Sequence, residues 1–469
     1  MILKSVKLGE LLELLTDYHA NGAYKKLKEN VELLDEPDYA IMIRTTNFEQ
    51  NNFNSSLKYI TEDAYHFLRK SKVYPNDILM NKIANAGSAY LMPDLKTPVS
   101  LAMNLFLLRV KTDLVNPVYL YIYLKINERY VKSFANGSAT KTITKDSVRN
   151  LEIKLPTRKI QDYIANIYLD FTKKIELNEQ MNETLEAIAQ SLFKSWFVDF
   201  DPVIDNALAT GNTIPDVFKE RAEKRKDNQQ FKSQKDQAIC ALFPDEFEHN
   251  EEVGWSPKGW NEVQIKDIAV IIKGKGYRSS ELSKSQTALV TLKSFKRGGG
   301  YRLDGLKEYT GKYRKEQEVK AGDLVIAYTD VTQAADVIGR PAMVINDARY
   351  KHLVISLDVA VIKPEVDAQK YYLYGIAKTE AFQVHTHSHI TGTTVLHLAK
   401  NAVPDYPLCL PNEIVLNSYT DIVKPLFTSV NNNIGEIKNL EKLRDTLLPK
   451  LMSGELRIPD AAALVDEAI

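Results

Sequence analysis

Two stretches of this chain, 255 residues apart, follow one pattern, and that internal repeat restricts the fold more than any other feature. Residues 137–156, GSATKTITKDSVRNLEIKLP, align without a gap on residues 392–411, GTTVLHLAKNAVPDYPLCLP. Each runs from a glycine through hydroxyl residues and alternating apolar residues to Leu-Pro. The register continues, setting Asn178 on Asn433, Leu185 on Leu440, Glu186 on Glu441, Ile188 on Leu443 and Leu192 on Leu447. Upstream, SVKLGELLELL from Ser5 resembles EVQIKDIAVII from Glu262, and VYPNDILMNKI from Val73 resembles VKAGDLVIAYT from Val319. Asn-Asp and Gly-Asp there are turn dipeptides between apolar runs, and the changed offsets mark loops of unequal length.

Each half therefore reads as a mixed strand and helix domain followed by one long helix. In the first helix Ile160, Ile164, Ile167, Phe171, Met181, Leu185, Ile188 and Leu192 keep a 4-3-4 spacing that continues through Lys174 and Asn178, a heptad seam. Tyr419, Ile422, Leu426, Leu440, Leu443 and Leu447 continue it in the second. From Ile160 to Phe197 such a helix would be roughly 57 Å long at about 1.5 Å per residue. One apolar stripe on so long a helix needs a partner, and the repeat supplies it. The expected fold is α+β: two similar mixed α/β domains separated by two long helices paired as an antiparallel coiled coil, related by a pseudo-twofold axis, with the domains at opposite ends of a rod. Asn178 and Asn433 would either set the register or mark a bent seam. The expected boundaries are a first domain at 1–157, a long helix at 158–200, a charged connector at 201–254, a second domain at 255–411, a second long helix at 412–457 and a C-terminal tail at 458–469. In the connector, the run KERAEKRKDNQQFKSQKDQ from Lys219 reads first as a solvated helix and second as a phosphate contact.

Of the 469 residues, 44% are apolar, enough for two or three separate cores. Lys+Arg and Asp+Glu are both 61, so any surface for a polyanion must be local. Cys240 and Cys409 form neither a disulfide framework nor a zinc pattern, and no run suggests a signal peptide or a membrane span, so a cytoplasmic protein is expected. Enzyme signatures fail in turn, leaving no catalytic or metal residue to assign. Asn116-Pro117-Val118-Tyr119 resembles the Asn-Pro-Pro-Tyr loop of amino-methyltransferases but lacks the second proline and a preceding glycine-rich cofactor motif. Asn116 and Asp367 read better as helix N-caps, with Pro117 at the first helical position. Gly274-Lys275-Gly276 and Gly298-Gly299-Gly300 do not fit GxxxxGK[ST] and read as turns. Pro244-Asp245-Glu246 has no nuclease-like partner. His385, His387 and His389 would share one face of a strand, better suited to phosphates or base edges than to a metal.

The remaining polar clusters suit DNA, since Arg and Lys bind phosphates or guanine edges, Asn reads adenine and Ser/Thr serve both roles. In the first half these are Arg44, Thr45, Thr46 and Asn47, then Asn81, Lys82 and Asn85, then Ser138, Thr140 and Lys141. In the second they are Lys275, Tyr277 and Arg278, then Lys293, Lys296, Arg297 and Arg302, then His389, Thr391, Thr393 and Thr394.

AIAQSLFKSWFVDFDPV from Ala187, followed by LFPDEFE, GWSPKGW and LRDTLLPKLMSGELRI, resembles the specificity subunit of Type I restriction-modification enzymes over nearly the whole chain. Phe193, Trp196, Phe197, Phe200, Asp201 and Pro202, and Leu447, Leu448, Pro449, Lys450, Leu451, Ser453 and Gly454, carry that resemblance. It implies a non-catalytic reader of double-stranded DNA. Two target recognition domains would each read part of a split asymmetric site, and the helices would serve as ruler and docking surface for two adenine-N6 methyltransferase subunits. Restriction subunits would join through that complex, and S-adenosylmethionine, ATP and Mg2+ would belong to the partners, none to this chain. Phe193, Trp196, Phe197 and Phe200 either cap the coiled-coil core or anchor the modification subunits, with Leu447, Leu448 and Leu451 in the corresponding place of the second half. The competing reading is a non-catalytic coiled-coil scaffold, or an inhibitory or orphan DNA-binding relative.

Overall fold

The computed structural model describes residues 3–138, 140–226, 234–332 and 334–456. The expected tail at 458–469 and the middle of the charge run from Lys219 lie outside them. The chain forms two compact units, Met1–Ile175 with Asn439–Ile469, and Glu176–Lys438.

The first unit carries, in chain order, β1 (Lys4–Lys7), β2 (Leu12–Asp17), β3 (Ala40–Ile43), β4 (Tyr59–Ile60), β5 (Lys72–Val73), β6 (Ile78–Asn81), β7 (Ala89–Leu91), β8 (Val99–Leu101), β9 (Leu105–Val110) and β10 (Glu152–Leu155). Two four-stranded sheets have orders β2-β9-β6-β7 and β4-β3-β8-β5, and β1 pairs with β10. AIMI in β3 and LFLLRV in β9 are near-continuous apolar runs, as strands covered on both faces require. Ile41 and Ile43 of one sheet meet Leu79 and Leu107 of the other in a single apolar cluster.

The second unit holds β11 (Phe247–Asn250), β12 (Gly254–Pro257), β13 (Asn261–Gln264), β14 (Ala269–Lys273), β15 (Thr287–Val290), β16 (Lys307–Glu308), β17 (Glu318–Val319), β18 (Leu324–Ala327), β19 (Thr329–Asp330), β20 (Pro341–Met343), β21 (His352–Ile355), β22 (Val359–Pro364), β23 (Ile390–Thr391), β24 (Leu396–Leu398) and β25 (Pro407–Leu410). Its sheets β14-β22-β18-β20 and β16-β15-β21-β17 reproduce the order of the first unit, and β13 pairs with β25 as β1 does with β10. A parallel neighbour pair is also shared, β3 with β8 and β15 with β21.

The sequence repeat is thus a repeat of topology, fixed by matching local devices. Asp77 accepts from the Tyr74 amide at 2.8 Å, and Asp323 from the Lys320 amide at 2.9 Å. The Tyr119 hydroxyl donates to the Lys154 carbonyl, and that of Tyr372 to the Cys409 carbonyl. Gly137 and Gly392 both have positive φ, 119° and 97°, and a Cβ at either would lie 2.3 Å from a carbonyl oxygen three residues on. Only glycine suits that turn.

The long helices are Arg158–Phe197, 40 residues, and Glu413–Ser453, 41 residues, each about 60 Å at about 1.5 Å per residue. Within the second unit their pairing is antiparallel. Asn433 donates to the Asn182 side chain at 2.9 Å, and the Tyr419 hydroxyl reaches the Ala189 carbonyl at 3.5 Å, so one helix advances as the other recedes.

Through Phe171 the seam is the expected one, with Ile164 and Ile167 buried, and after it every second position shifts by one residue. Ile164, Phe171, Asn178, Leu185 and Leu192 face inward as expected, but Ile175, Asn182, Ala189 and Trp196 take the alternate places instead of Lys174, Met181 and Ile188. The small Ala189 and the hydrogen-bonded Asn182 sit where the helices approach, and the bulkier Met181 and Ile188 turn out to solvent. Asn433 is therefore paired with Asn182, while the Asn178 amide nitrogen is buried without a hydrogen-bond partner among the described residues.

The connector is less solvated than the charge run implies. Helix Asp201–Thr210 buries Asp201 and Asp205, and helix Lys219–Lys226 brings arginines onto them. Arg221 binds Asp201 through two nitrogens, Ser195 donates to the same carboxylate at 2.7 Å, and Arg225 binds Asp205. Burial alone would raise the Asp201 pKa, but these donors and the two guanidinium charges outweigh it and hold it below its usual value.

Two further expectations change. Asn116 caps its helix, accepting from the amides of Val118 and Tyr119 with Pro117 in the first turn, but Ala368, not Asp367, precedes helix Gln369–Lys378. Asp367 pairs instead with Lys370. His385, His387 and His389 do not lie on a strand: His385 and His387 belong to helix Glu380–Ser388 and His389 follows it. His385 and His389, one turn apart, stack with centroids 4.4 Å apart, leaving His387 on another face.

A pH test arises in the second unit. Burial would raise the pKa of Asp347, but hydrogen bonds from Arg349 and from Lys438 on the second long helix outweigh it and bring it to about 2. A depressed carboxylate stabilises the fold above its unfolded pKa and ceases to do so as pH falls through the folded value. Wild type should therefore lose about 2 kcal/mol more than Asp347→Asn between pH 5 and pH 2, read from urea melts at each pH.

Candidate nucleic-acid interface

Two predicted segments of the first unit meet at one edge. Isolated bridges join Thr142 to Ile83 and to Asn136, and the Ala84 amide donates to the Lys141 carbonyl at 3.0 Å. The 82–85 loop thus lies against Lys141 and Thr142, with Asn85, Ser138, Thr140 and Lys141 exposed. The second unit builds the same edge from repeat-equivalent positions, since β24 pairs His397 with Thr329 of β19 and with Thr391 of β23. Its turn exposes Thr391, Thr393 and Thr394. The duplicated fold presents one edge twice, each time with a glycine-pivoted turn bearing hydroxyl groups.

Several predicted readers are engaged inside the domain. Asn47, 4% exposed, accepts from the Arg44 amide and donates to the Asn52 carbonyl, closing the start of helix Thr45–Glu49. Asn81, 1% exposed, accepts from Thr45 and donates to the Tyr90 hydroxyl. Both amides serve the fold, which corrects their reading as adenine contacts. Arg44 donates to the Ser56 carbonyl, and Thr46 stays exposed on the helix. Lys82 binds Asp17 at 3.0 Å and Lys145 binds it at 3.2 Å. Burial raises the Asp17 pKa, but the two ammonium groups more than reverse this.

In the second unit Lys275 donates to the Lys312 carbonyl, and Tyr277 accepts from Lys307. Arg278 is exposed beside a capping glutamate, its amide donating to Glu281. Lys293, Lys296 and Arg297 are exposed; Arg297 lies 3.9 Å from Asp336, and Arg302 is paired with Asp304. The His389 ring bonds the His385 carbonyl at 2.8 Å, part of the helix end rather than of a reading strand.

Reasoning from sequence missed Asp330, which is 2% exposed and accepts from the amides of Thr332, Val337 and Ile338 and from the Thr332 hydroxyl. It fixes the segment between the Thr391 turn and the glycine turn at 298–300, whose Gly298 amide donates to the Asp336 carbonyl. Arg340 at the end of that segment was also missed. Neither belongs to a motif, and each acquires its place only through pairing distant in sequence.

The expected docking residues are core residues. Phe193, Trp196, Phe197 and Phe200 are 3 to 8% exposed. Phe197 touches the rings of Phe193, Trp196, Trp260, Tyr372 and Tyr419. Phe200, a non-glycine residue at φ 54°, turns the chain into helix Asp201–Thr210 while packing on Phe218, Phe247 and Trp260. Leu447, Leu448 and Leu451 are buried as well. On the first long helix Leu177, Met181 and Ile188, 48 to 52% exposed, form an open apolar stripe at helical spacing.

Among the described residues no group of three or more His, Cys, Asp or Glu could hold a metal ion, and no helix is long and apolar enough to cross a membrane.

A family model described as the Type I restriction modification DNA specificity domain matches residues 3–187. The Type I restriction enzyme MjaIX specificity subunit of Methanocaldococcus jannaschii is 24% identical over 365 residues, 75% of this chain and 72% of its own length. The HindI specificity subunit of Haemophilus influenzae is 25% identical over 429 residues, 82% of this chain and 88% of its own. The crystal structure of a Type-I restriction-modification system S subunit from M. genitalium shares the fold, with a TM-score of 0.53 at 14% identity over 96% of both chains.

Proposed function

We propose that this chain, similar to Type I restriction-modification specificity subunits, is a DNA-recognition subunit of that family and reads a bipartite, asymmetric site with two recognition domains, residues 1–157 and 255–411. The observation that carries this reading is the duplicated edge: Ile83, Thr142 and Asn136 in one unit, Thr329, His397 and Thr391 in the other. Two similar edges with different side chains suit two half-sites of different sequence. The chain itself is non-catalytic in this account. Two methyltransferase subunits dock on it and restriction subunits join through them; S-adenosylmethionine, ATP and Mg2+ belong to those partners. The stripe of Leu177, Met181 and Ile188 is the proposed methyltransferase contact in place of the buried aromatic residues.

The paired helices set the spacer. Inserting one heptad into both, between Leu177 and Leu192 and between the matching Asn432 and Leu447, keeps the seam in phase and adds about 10 Å of helix. At about 34 to 36 Å per duplex turn the accepted spacer should lengthen by about three base pairs with both half-sites unchanged. The methylated motif of the insertion variant reads this out, and altered half-sites with the old spacer would overturn it.

A further inference from the structure

Three cations of the second unit, Lys296, Arg340 and Lys378, lie on adjoining segments, with Glu186 as the acid whose charge acts on Lys378. Lys296 lies in the turn whose Gly300 amide donates to the Pro341 carbonyl at 3.2 Å, next to Arg340. The Gln383 amide donates both to the Gly339 carbonyl at 2.9 Å and to the Ala377 carbonyl at 2.7 Å, which ties the residue before Arg340 to the residue before Lys378. Three segments are thus held together with one basic residue on each. None of the three forms an ion pair among the described residues, and the buried Arg340 Nε has no hydrogen-bond partner there. Burial lowers the Lys378 pKa, Glu186 opposes this, and Arg340 and Lys296 lower it further, as mutual repulsion requires.

We propose that Lys296, Arg340 and Lys378 form a clamp for a DNA backbone phosphate in the second recognition domain. A fold that ties together three segments bearing a guanidinium and two ammonium groups is preorganised for an anion with several oxygens, which a phosphodiester supplies. DNA is favoured over an acidic protein surface because Lys296 adjoins Arg297 on an exposed turn, and Arg340 closes the Asp330 segment that borders the Thr391 turn. The clamp rests on the DNA-reading role and assigns it a phosphate contact that carries no base information.

The test is a salt titration of duplex binding by the methyltransferase complex containing the full chain, with wild type, Arg340→Ala and the exposed-site variant Lys296→Ala. Each variant should bind specific and unrelated duplexes more weakly by the same factor. The slope of log K against log salt should be shallower by about 0.9 per phosphate contact removed, and the methylated motif should stay the same. An unchanged slope in both variants overturns the clamp. So does loss of complex assembly with DNA binding per assembled complex unchanged, which would assign the cations to an acidic partner surface. A wild-type complex without sequence preference would refute the DNA-reading role instead, a result separable from either.

Discussion

Replacing Phe197 with alanine should destabilise the second unit by about 3 to 5 kcal/mol, the cost of removing a large aromatic side chain from a packed core. Its ring, 6% exposed, contacts five other rings, from the first long helix, the second long helix, helix Gln369–Lys378 and the β12–β13 loop. The neighbouring Phe193 leaves no slack: a Cβ on Gly375 would fall 2.1 Å from its ring. Surrounding side chains have little room to collapse into the vacated volume, which places the cost toward the upper part of that range. Chemical denaturation with the tryptophan signal of Trp196 and Trp260 measures it. A stable variant that loses only its methyltransferase would return these aromatic residues to a docking role.

Leu177→Ser, Met181→Ser and Ile188→Ser combined should do the reverse. These side chains are about half exposed and bury little within the chain, so the melting curve should hardly move. If the stripe is the methyltransferase contact, losing three apolar anchors at its centre should weaken association by about 2 kcal/mol or more, at least about thirtyfold in Kd. Calorimetric titration with the purified methyltransferase gives the number, and binding within threefold of wild type would exclude the stripe.

The two variants mark where sequence and structure part. The duplication was legible because Gly137 and Gly392, and Asp77 and Asp323, are local devices whose residue types are forced by backbone geometry. The long helices were legible because a heptad pattern is a property of one segment. The seam was half legible: Met181 and Ile188 are more apolar than Asn182 and Ala189, yet close helix approach favours the small residue and the paired amide. Phe197 is buried because Tyr372 and Tyr419, far away in the chain, cover it, and no spacing rule reveals that. The same limit applies to the interface. The exposed Ser138, Thr140 and Lys141 and the exposed turn at 391–394 stood out by composition, whereas Asn47 and Asn81 looked like free amides until Asn52, Thr45 and Tyr90 came beside them. The His385 to His389 segment alternates in sequence but follows the cap at Thr379, whose hydroxyl accepts from the Phe382 amide and starts a helix.

One chain that supplies both halves of a split DNA site leaves a signature in the methylation it directs. That signature is read by producing the chain with a methyltransferase partner in a host free of other adenine methylation and mapping N6-methyladenine across the genome. Methylation is expected at a single bipartite, asymmetric motif, with substitutions at Thr391, Thr393 and Thr394 altering one half-site and those at Ser138, Thr140 and Lys141 the other. A stable complex that methylates no such motif, or one motif without a spacer, would contradict it.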